Sequence, residues 1–322
     1  MQFPPSQLAL KYCRGRGLEL GGASQNPFCL SNCLNVAPSD GQRGVYDRDL
    51  TDYLVYARHQ QEQGERVMKV DQVGDFVHLP AADGELDYLV SSHVIEHEPN
   101  PLQALTESYR ALKAGGVFFC IFPKRGAEPQ VDAFRRLTTL QEFVDIFRAG
   151  LSVPDCHPQD GAPLGIPILE RTRNQWRTHY HVYSLQSMIR LVNWFNQNQT
   201  GFWLIEAVEE TDSKVGNGHT VVLRKTEGPQ GASDAADEEA AIAALIDTEE
   251  FEAAYLRCRA ALSTDFFRSR LLYTAGLLGS ILGHRLEGRE FMRQALVVDP
   301  EDETVRRDFY VKFSERYTNP LA

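Results

Sequence analysis

Short apolar segments alternate with polar, helix-forming segments through most of the chain. The apolar segments predict seven strands, at residues 18–20, 33–36, 68–71, 86–91, 117–123, 202–208 and 219–224. The segments between them predict helices at residues 49–63, 102–113, 138–148 and 184–197. The fifth strand is apolar on both faces, which is typical of a central parallel strand. The seventh follows the sixth after a short loop through Gly216 and Gly218, so this last strand should run antiparallel.

Three helix boundaries are predicted from residue type. Thr138 and Ser184 carry hydroxyl groups suited to cap the helices that follow them. Gly115 and Gly116 are expected to end the helix at residues 102–113.

The last third of the chain has a different pattern. Residues 227–236 are small, polar and turn-rich, which predicts a linker between a first domain at residues 1–226 and an all-α module at residues 237–322. An echo of 34 residues relates Ala254, Ala261, Leu262 and Asp265 to Gly288, Ala295, Leu296 and Asp299. This echo resembles a pair of tetratricopeptide repeats. Two repeats seldom bury enough surface alone, so we expect them to pack on the first domain, on another copy or on a protein partner.

Composition narrows the class of protein. The chain has 322 residues and a net charge of −11, which argues against general nucleic-acid binding because that needs a basic face. No apolar stretch reaches the ~18 residues of a membrane span, and no signal peptide is evident. Six scattered cysteines form no disulfide or zinc pattern, so a reducing cytoplasm is the expected compartment.

A glycine turn follows the first predicted strand. Glu19 precedes Gly21 and Gly22, and Ala23 and Ser24 continue the turn. Glycines here let backbone N–H groups approach a nucleotide-like ligand. The full G-x-G-x-x-G pattern is absent, and a plain β-turn is the alternative interpretation.

Five short motifs occur in order along the first domain. They are Glu-Leu-Gly-Gly-Ala (19–23), Gly-Asp-x-x-x-Leu-Pro (74–80), Asp-Gly-x-Leu-Asp (83–87), Ser-His-Val-Ile-Glu-His (92–97) and Leu-Lys-Ala-Gly-Gly (112–116). Together they resemble the class I S-adenosylmethionine-dependent methyltransferases, in the group of the ubiquinone and menaquinone enzymes. The resemblance covers residues 15–125 and extends weakly to residue 226. It implies a Rossmann-like α/β fold and S-adenosylmethionine as cofactor.

The resemblance also implies cofactor-binding residues. Besides the glycine turn, Asp75 would accept from the adenine amino group and Phe76 would lie against the ring. Ser92 and His93 would stand at the carboxyl end of the fourth strand, where open α/β sheets bind ligands.

One expected residue is missing. The family has an acidic residue at the end of the second strand for the ribose hydroxyls, and here that place is Ala37. Either Asp40 reaches back, or Asn35 substitutes, or ribose binding is weakened.

Candidate catalytic residues are histidines, because methyl transfer to a hydroxyl needs a base near neutral pH. His97 is the first candidate and His93 the second, with His181 as a further one; the alternative is that they tie the strand end to the next helix. Ubiquinone-type relatives have a second glutamate at the position of His93 and hold a divalent metal there. His93, Glu96 and His97 could hold a metal, but on a turning segment they need not converge, and we predict none.

Substrate contacts are expected from the irregular segment at residues 124–180, which we interpret as a cover over the site. His179 and His181 alternate on an extended segment, so they should point the same way. Arg135 is a candidate for an anionic or sugar-phosphate group, with a solvated loop as the alternative. The expected activity is methylation of an oxygen or nitrogen on a small molecule or glycan, and the histidine pairs together with the absence of a basic groove favour an oxygen. Two alternatives are an inactive scaffold whose repeats bind a partner, favoured by Ala37, and the same fold with a different nucleotide.

Overall fold

A computed structural model describes residues 6–22, 28–127, 132, 135–156, 176–226, 232–264, 268–299 and 302–313. Ala23 and Ser24 lie outside these residues. The chain divides into two compact units, Met1–Ser187 with Phe195–Thr226, and Met188–Trp194 with Glu227–Ala322.

The first unit contains a seven-stranded sheet. Its strands are β1 (Gly17–Leu20), β2 (Cys33–Ala37), β3 (Gln72–Val73), β4 (Leu86–Ser92), β5 (Leu112–Pro123), β6 (Phe202–Glu209) and β7 (Gly218–Thr226). The strand order is β3-β2-β1-β4-β5-β7-β6. β1 to β5 pair in parallel, and β7 is antiparallel to both β5 and β6. The predicted α/β, Rossmann-like sheet with an antiparallel last strand is therefore confirmed.

The described residues before β6 include the helices α1 (Gln7–Tyr12), α2 (Asp49–Glu62), α3 (Pro101–Ala111), α4 (Leu140–Ala149) and α5 (Leu185–Asn198), the last of which carries Met188–Trp194 of the second unit. Short 3₁₀ turns cover Ile95–His97 and Val153–Asp155. One face of the sheet is covered by an apolar cluster in which Phe28 meets Phe119 edge to face. Because β1 to β4 pair in parallel, their carboxyl ends lie at the same edge of the sheet. The candidate site lies at this edge.

Some predicted boundaries need correction. The cap of α4 is Thr139 and not Thr138, because Thr139 forms a reciprocal capping box with Glu142. Ser184 caps α5 as predicted. The third strand is shorter and later than predicted. α3 ends at Ala111, ahead of Gly115 and Gly116, because the backbone turns extended at Leu112 and enters β5.

The second unit contains the helices α6 (Ala232–Asp247), α7 (Phe251–Thr264), α8 (Ser269–Ile281), α9 (Arg285–Val298) and α10 (Glu303–Phe313). The second half of the predicted linker is thus helical, in keeping with its alanines. α8 and α9 cross closely at glycines: a Cβ on Gly276 would lie 2.2 Å from Met292 Cγ. Among the described residues, no helix combines the length and apolarity that crossing a membrane requires.

Candidate active site

The glycine turn stands at the carboxyl end of β1. Leu20 lies between Val36 of β2 and Ser91 of β4. Gly21 has φ +76° and donates its N–H to the carbonyl of Val36 at 2.9 Å. A Cβ on Gly22 would lie 2.1 Å from Asn35 Oδ1. Packing against β2 therefore requires glycine at this turn in addition to any approach by a ligand.

Glu19 of β1 is hydrogen-bonded to the backbone of Phe28. Both of its carboxylate oxygens accept from the N–H of Phe28, at 3.1 and 3.2 Å. Lys214, from the loop between β6 and β7, lies with its Nζ 3.8 Å from the centre of the Phe28 ring. Burial raises the pKa of Glu19 and lowers the pKa of Lys214 to about 8, and the attraction between the two groups opposes both shifts. The Glu19 carboxylate is therefore bound by the backbone of Phe28 and attracted by Lys214.

The end of β2 offers no acidic side chain toward the site. Ala37 is buried at the expected ribose position. Asp40 folds into its own turn, where it accepts from the N–H groups of Gln42 and Arg43 and pairs with the Arg43 guanidinium at 2.9 Å. These hydrogen bonds lower the pKa of Asp40 to about 2. Asn35 donates from its side chain to the carbonyl of Lys69 at 2.6 Å.

Asp75, at the carboxyl end of β3, is surrounded by charged partners. Its Oδ2 accepts from Arg177 at 2.8 Å, and its Oδ1 lies 2.9 Å from Nδ1 of His78. Arg177 also makes a bidentate pair with Asp49, at 2.7 and 3.0 Å. We call Asp49, Asp75, His78 and Arg177 the Asp75 cluster. Burial would raise the pKa of Asp75, but His78 and Arg177 outweigh it, so the pKa is lowered.

Phe76 packs in the core beside this cluster. It is 2% exposed and packs edge to face on Phe118, with the two ring centres 5.9 Å apart. Sequence reasoning missed Arg177 and Asp49, which join segments 128 residues apart. Their contact carries no periodic signal, so nothing in the pattern of the chain could have paired them.

The end of β4 turns sharply at His93. Ser92 is half-buried at the last position of the strand, and His93 has φ +55°, in the left-handed region. Its Nε2 lies 3.0 Å from Asn217 Oδ1, and its Nδ1 lies 3.7 Å from Oε1 of Glu96. This turn directs the 3₁₀ segment Ile95–His97 back over the strand end.

Glu96, His97 and His179 converge beyond that turn, and we call them the Glu96 cluster. Glu96 is fully buried, and its Oε1 lies 4.0 Å from Nε2 of His97 and 4.0 Å from Nε2 of His179. The two imidazole rings meet edge to face with centres 4.5 Å apart. His93 is a neighbour of Glu96 but is not one of the three converging residues. His179, predicted as a substrate contact, therefore joins the predicted catalytic segment.

Asp132 contacts the Nδ1 atom of His179, whereas Nε2 of the same ring is the nitrogen near Glu96. Its Oδ2 lies 3.0 Å from Nδ1 of His179, and its Oδ1 accepts from Arg135 at 2.8 Å. Arg135 donates also to the carbonyl of Tyr180 at 2.8 Å and is 2% exposed. The structure does not support Arg135 as a substrate residue, because its guanidinium is buried against protein oxygens. Asp132 was missed because it lies in the irregular segment without any motif.

His181 is a core residue in the structure. Its Nε2 donates to the carbonyl of Pro99 at 2.8 Å, and its ring packs on Phe143 with centres 4.8 Å apart. Burial lowers the pKa of His181 to about 4. The predicted roles of His181 in catalysis and substrate contact are therefore not supported. His179 and His181 have different partners, Asp132 and the carbonyl of Pro99, on a segment that forms no regular strand.

A family model matches the central part of the first unit. Residues 32–120 match the model of a family described as methyltransferase domain. Over this segment, which is less than a third of the chain, the sequence is similar to a methyltransferase domain. The methyl donor of this domain is S-adenosylmethionine, as the sequence predicted.

Individual relatives are distant. The chain is 39% identical over 69 residues to the biotin biosynthesis bifunctional protein BioHC of Teredinibacter turnerae, a match that covers 19% of this chain and 12% of that protein. The chain thus spans about an eighth of that relative's length.

Among solved structures, a methyltransferase of Thermotoga maritima, a possible histamine N-methyltransferase, is 18% identical over 68% of this chain and 86% of its own, with a TM-score of 0.35. A methyltransferase of Methanosarcina mazei is 14% identical over 68% and 97%, with a TM-score of 0.37. With TM-scores below 0.5, neither structure bears on the acceptor of this chain.

Proposed function

We propose that this protein transfers a methyl group from S-adenosylmethionine to an oxygen of a small molecule or glycan. The observation that carries the proposal is the Glu96 cluster, which places two imidazoles and a carboxylate at the end of β4, next to the glycine turn after β1. A hydroxyl acceptor must lose a proton, and imidazole is the side chain suited to take it near neutral pH.

The residues present fit the cofactor in part. The glycine turn stands at the carboxyl end of β1, with Val94 and Asn35 packed against its two glycines, and Asp75 is an acceptor at the end of β3. The ribose position lacks its acid, because Ala37 stands there. When bound, S-adenosylmethionine supplies an activated methyl group on a sulfonium, so the protein must chiefly align the acceptor.

His179 is the best placed base. Asp132 is paired with Arg135 and accepts from Nδ1–H of His179, which leaves the basic lone pair on Nε2. His97 is oriented in the same manner by the carbonyl of Arg177, at 2.9 Å. Either Nε2 would accept the acceptor's proton beside Glu96, whose carboxylate stabilises the imidazolium that forms.

A second candidate is a scaffold with weak or no turnover. Asp75 and Asp40 are both engaged by arginines in this structure, and Ala37 replaces the ribose-binding acid. In this proposal the tetratricopeptide-like helices bind a protein partner or a second copy. Exposed apolar side chains such as Leu286 and Val311 would form that surface.

The deciding experiment is calorimetric titration with S-adenosylmethionine and S-adenosylhomocysteine. We expect micromolar binding that Asp75→Asn weakens at least about 10-fold, since a hydrogen bond to a charged group is worth ~1.5–3 kcal/mol. Asp83→Asn is the matched control, because the Asp83 side chain is 83% exposed. Asp75→Asn is preferable to Gly21→Val, whose Cβ would strike Val94 and disturb the fold.

No binding at millimolar ligand would overturn the enzyme proposal and favour the scaffold. If the cofactor binds, a screen of hydroxylated acceptors follows, with His179→Gln and His97→Gln as variants that should lose turnover while retaining cofactor affinity. Turnover unchanged in both variants would contradict their role as bases.

A further inference from the structure

We propose that a basic cavity at the amino ends of β4 and β5 binds a phosphate group, either free or carried by a small molecule. The cavity has a volume of about 320 Å³. Four of its lining residues are positively charged and one is negatively charged: Lys11, Arg14, Lys113, Arg224 and Asp87. We call these five residues the Arg14 cluster. Phosphate binding at this cluster does not depend on the proposed methyl transfer.

The cavity lies where β5 leaves the register of β4. Between the pairs Leu86–Leu112 and Tyr88–Val117, β5 has four residues where β4 has one. Gly115, within this bulge, has φ +77°, and a Cβ on it would meet nothing within 4 Å. The bulge therefore leaves open space beside the backbone. It also contains the glycines of the Leu-Lys-Ala-Gly-Gly motif, to which the candidate active site gives no role.

Helix α1 and strand β7 form the other walls of the cavity. Lys11 is in the last turn of α1, and Arg14 directly follows the helix cap Cys13. Cys13 and Val117 belong to the same apolar cluster, so the end of α1 is packed against β5. Arg224 of β7 stands opposite Val117 in the antiparallel ladder. The charged side chains thus come from elements whose positions are fixed by the sheet.

The acidic groups near the cavity are already paired. Asp87 accepts from Lys113 at 2.7 Å and from the backbone N–H of Arg16 at 2.9 Å. Arg224 pairs with Glu206, which is not a lining residue. Two of the four cations therefore have counterions, and the neutralising groups are used up by these pairs.

Lys11 and Arg14 give the cavity a surplus of positive charge. The Nζ atom of Lys11 lies 3.1 Å from the hydroxyl oxygen of Tyr12, which is uncharged. Within the part of the chain that the structure describes, neither Lys11 nor Arg14 forms an ion pair, and both are exposed. The whole chain has a net charge of −11, so this surplus is a local feature that attracts an anion.

A phosphate group suits this surplus better than a carboxylate does. A phosphate monoester carries about two negative charges near neutral pH and presents three acceptor oxygens. The guanidinium of Arg14 can donate to two of these oxygens at once, and an ammonium such as that of Lys11 can donate to the third. The volume is at the lower end of the ~300–1,000 Å³ typical of small-molecule sites, which favours a phosphate group with little attached to it.

Strand β4 separates this cavity from the candidate active site. Asp87 is the second residue of β4 and Ser92 is the last. At ~3.3 Å per residue, about 16 Å of strand lies between them. A small ligand of the Arg14 cluster therefore does not reach the Glu96 cluster, and binding at the two places can be measured separately.

The test is calorimetric titration of the full chain with pyrophosphate, inorganic phosphate and glycerol phosphate at low ionic strength. We expect one pyrophosphate per chain with a Kd on the order of 10–100 μM, and weaker binding as salt is added. Arg14→Gln should weaken binding at least about 10-fold, because it removes a charge-assisted hydrogen-bond donor. Arg58→Gln is the matched control: it removes the same charge from a side chain that is 81% exposed and does not line the cavity.

Asp87→Asn tests the same site in the opposite direction. It removes the one acidic group among the described lining residues, and its amide oxygen can still accept from the N–H of Arg16. Pyrophosphate should then bind at least about 3-fold more tightly, because a like charge is gone. A damaged fold cannot produce tighter binding, so this variant keeps the test decisive. Unchanged or weaker binding in Asp87→Asn would contradict the proposed site.

Absence of saturable binding of all three ligands to the wild-type chain would overturn the proposal. Equal weakening in Arg14→Gln and Arg58→Gln would also overturn it, because overall charge would then explain the binding. Tighter binding of glycerol phosphate than of inorganic phosphate would support a phosphorylated small molecule, and the reverse order would support free phosphate. A duplex oligonucleotide that displaces pyrophosphate at a lower concentration than either would overturn the assignment to a small ligand.

Titration with S-adenosylhomocysteine separates this inference from the proposed function. Arg14→Gln should bind it as the wild type does, since the two sites lie at opposite ends of β4. Loss of S-adenosylhomocysteine binding alone contradicts the proposed function, and loss of phosphate binding alone contradicts this inference.

Discussion

The Asp75 cluster and the Glu96 cluster both bury a carboxylate at the end of a strand, on nearby strands of one sheet. Asp75 faces Arg177, a cation that stays charged at every accessible pH, and Arg177 is shared with Asp49. Glu96 faces His97 and His179, whose charge depends on pH and on what else is bound. The Asp75 cluster therefore pairs its carboxylate with a permanent cation as well as with His78, whereas the Glu96 cluster places two imidazoles beside its carboxylate.

The difference bears on the proposed function, because a general base takes up a proton during turnover. A carboxylate held by arginine contributes mainly to stability and gives up its partner only to a competing donor. A carboxylate beside imidazoles keeps its ability to exchange protons. The two clusters meet at Arg177, whose side chain belongs to the first and whose carbonyl orients His97 of the second.

The largest loss in the free energy of unfolding should come from Arg177→Ala. This substitution leaves Asp49 and Asp75 buried without their shared cation, and breaking a buried pair in this way costs about 3–5 kcal/mol. Urea denaturation measures the free energy of unfolding. Arg136→Ala is the control, because the Arg136 side chain is 54% exposed and such pairs contribute only about 0–1 kcal/mol. Equal losses in the two variants would remove the distinction between a buried pair and a surface pair.

Most of the sheet and the identity of the two carboxylate positions follow from sequence. Strand periodicity predicts the order of elements, and Asp75 and the Glu96-His97 pair stand in motifs at strand ends. Arg177 and Asp132 are not predictable in this way, because they reach the site from irregular segments whose path depends on tertiary contacts. His179 and His181 show the limit directly: alternation predicts a common face only in a regular strand, and residues 178–181 are not one.

The next largest effect is on the pH dependence of the free energy of unfolding, which should differ between the two regions. His181 borders the Glu96 cluster, and its pKa is about 4 in the folded protein against about 6.5 when unfolded. The unfolded state binds the proton more readily between these values. Stability is therefore complete above pH 6.5 and is lost as pH falls toward 4, by about 3 kcal/mol from this group alone.

Asp75 has a lowered pKa, so its contribution is present above its unfolded pKa of about 3.9 and is lost only below that value. Urea denaturation of His181→Gln from pH 7.5 to 4 should show a shallower loss than the wild type, whereas Asp75→Asn, which removes the carboxylate that raises the pKa of His78, should change the pH dependence chiefly above pH ~6. His59→Gln serves as the exposed control. A wild-type slope in His181→Gln would contradict the buried, neutral state of this imidazole.

The smallest loss in the free energy of unfolding should come from Glu96→Gln, measured on the chelator-treated protein. The carboxamide keeps the shape of the side chain, and His97 and His179, the described residues that converge with it, can be neutral imidazoles. We expect a loss of about 1 kcal/mol in the free energy of unfolding, close to that of one hydrogen bond. Asp75→Asn is the matched substitution, and it should cost more because Arg177 stays charged. A loss of 3–5 kcal/mol in Glu96→Gln would mean that Glu96 is the counterion of a permanently charged group, and the contrast between the two clusters would then fail.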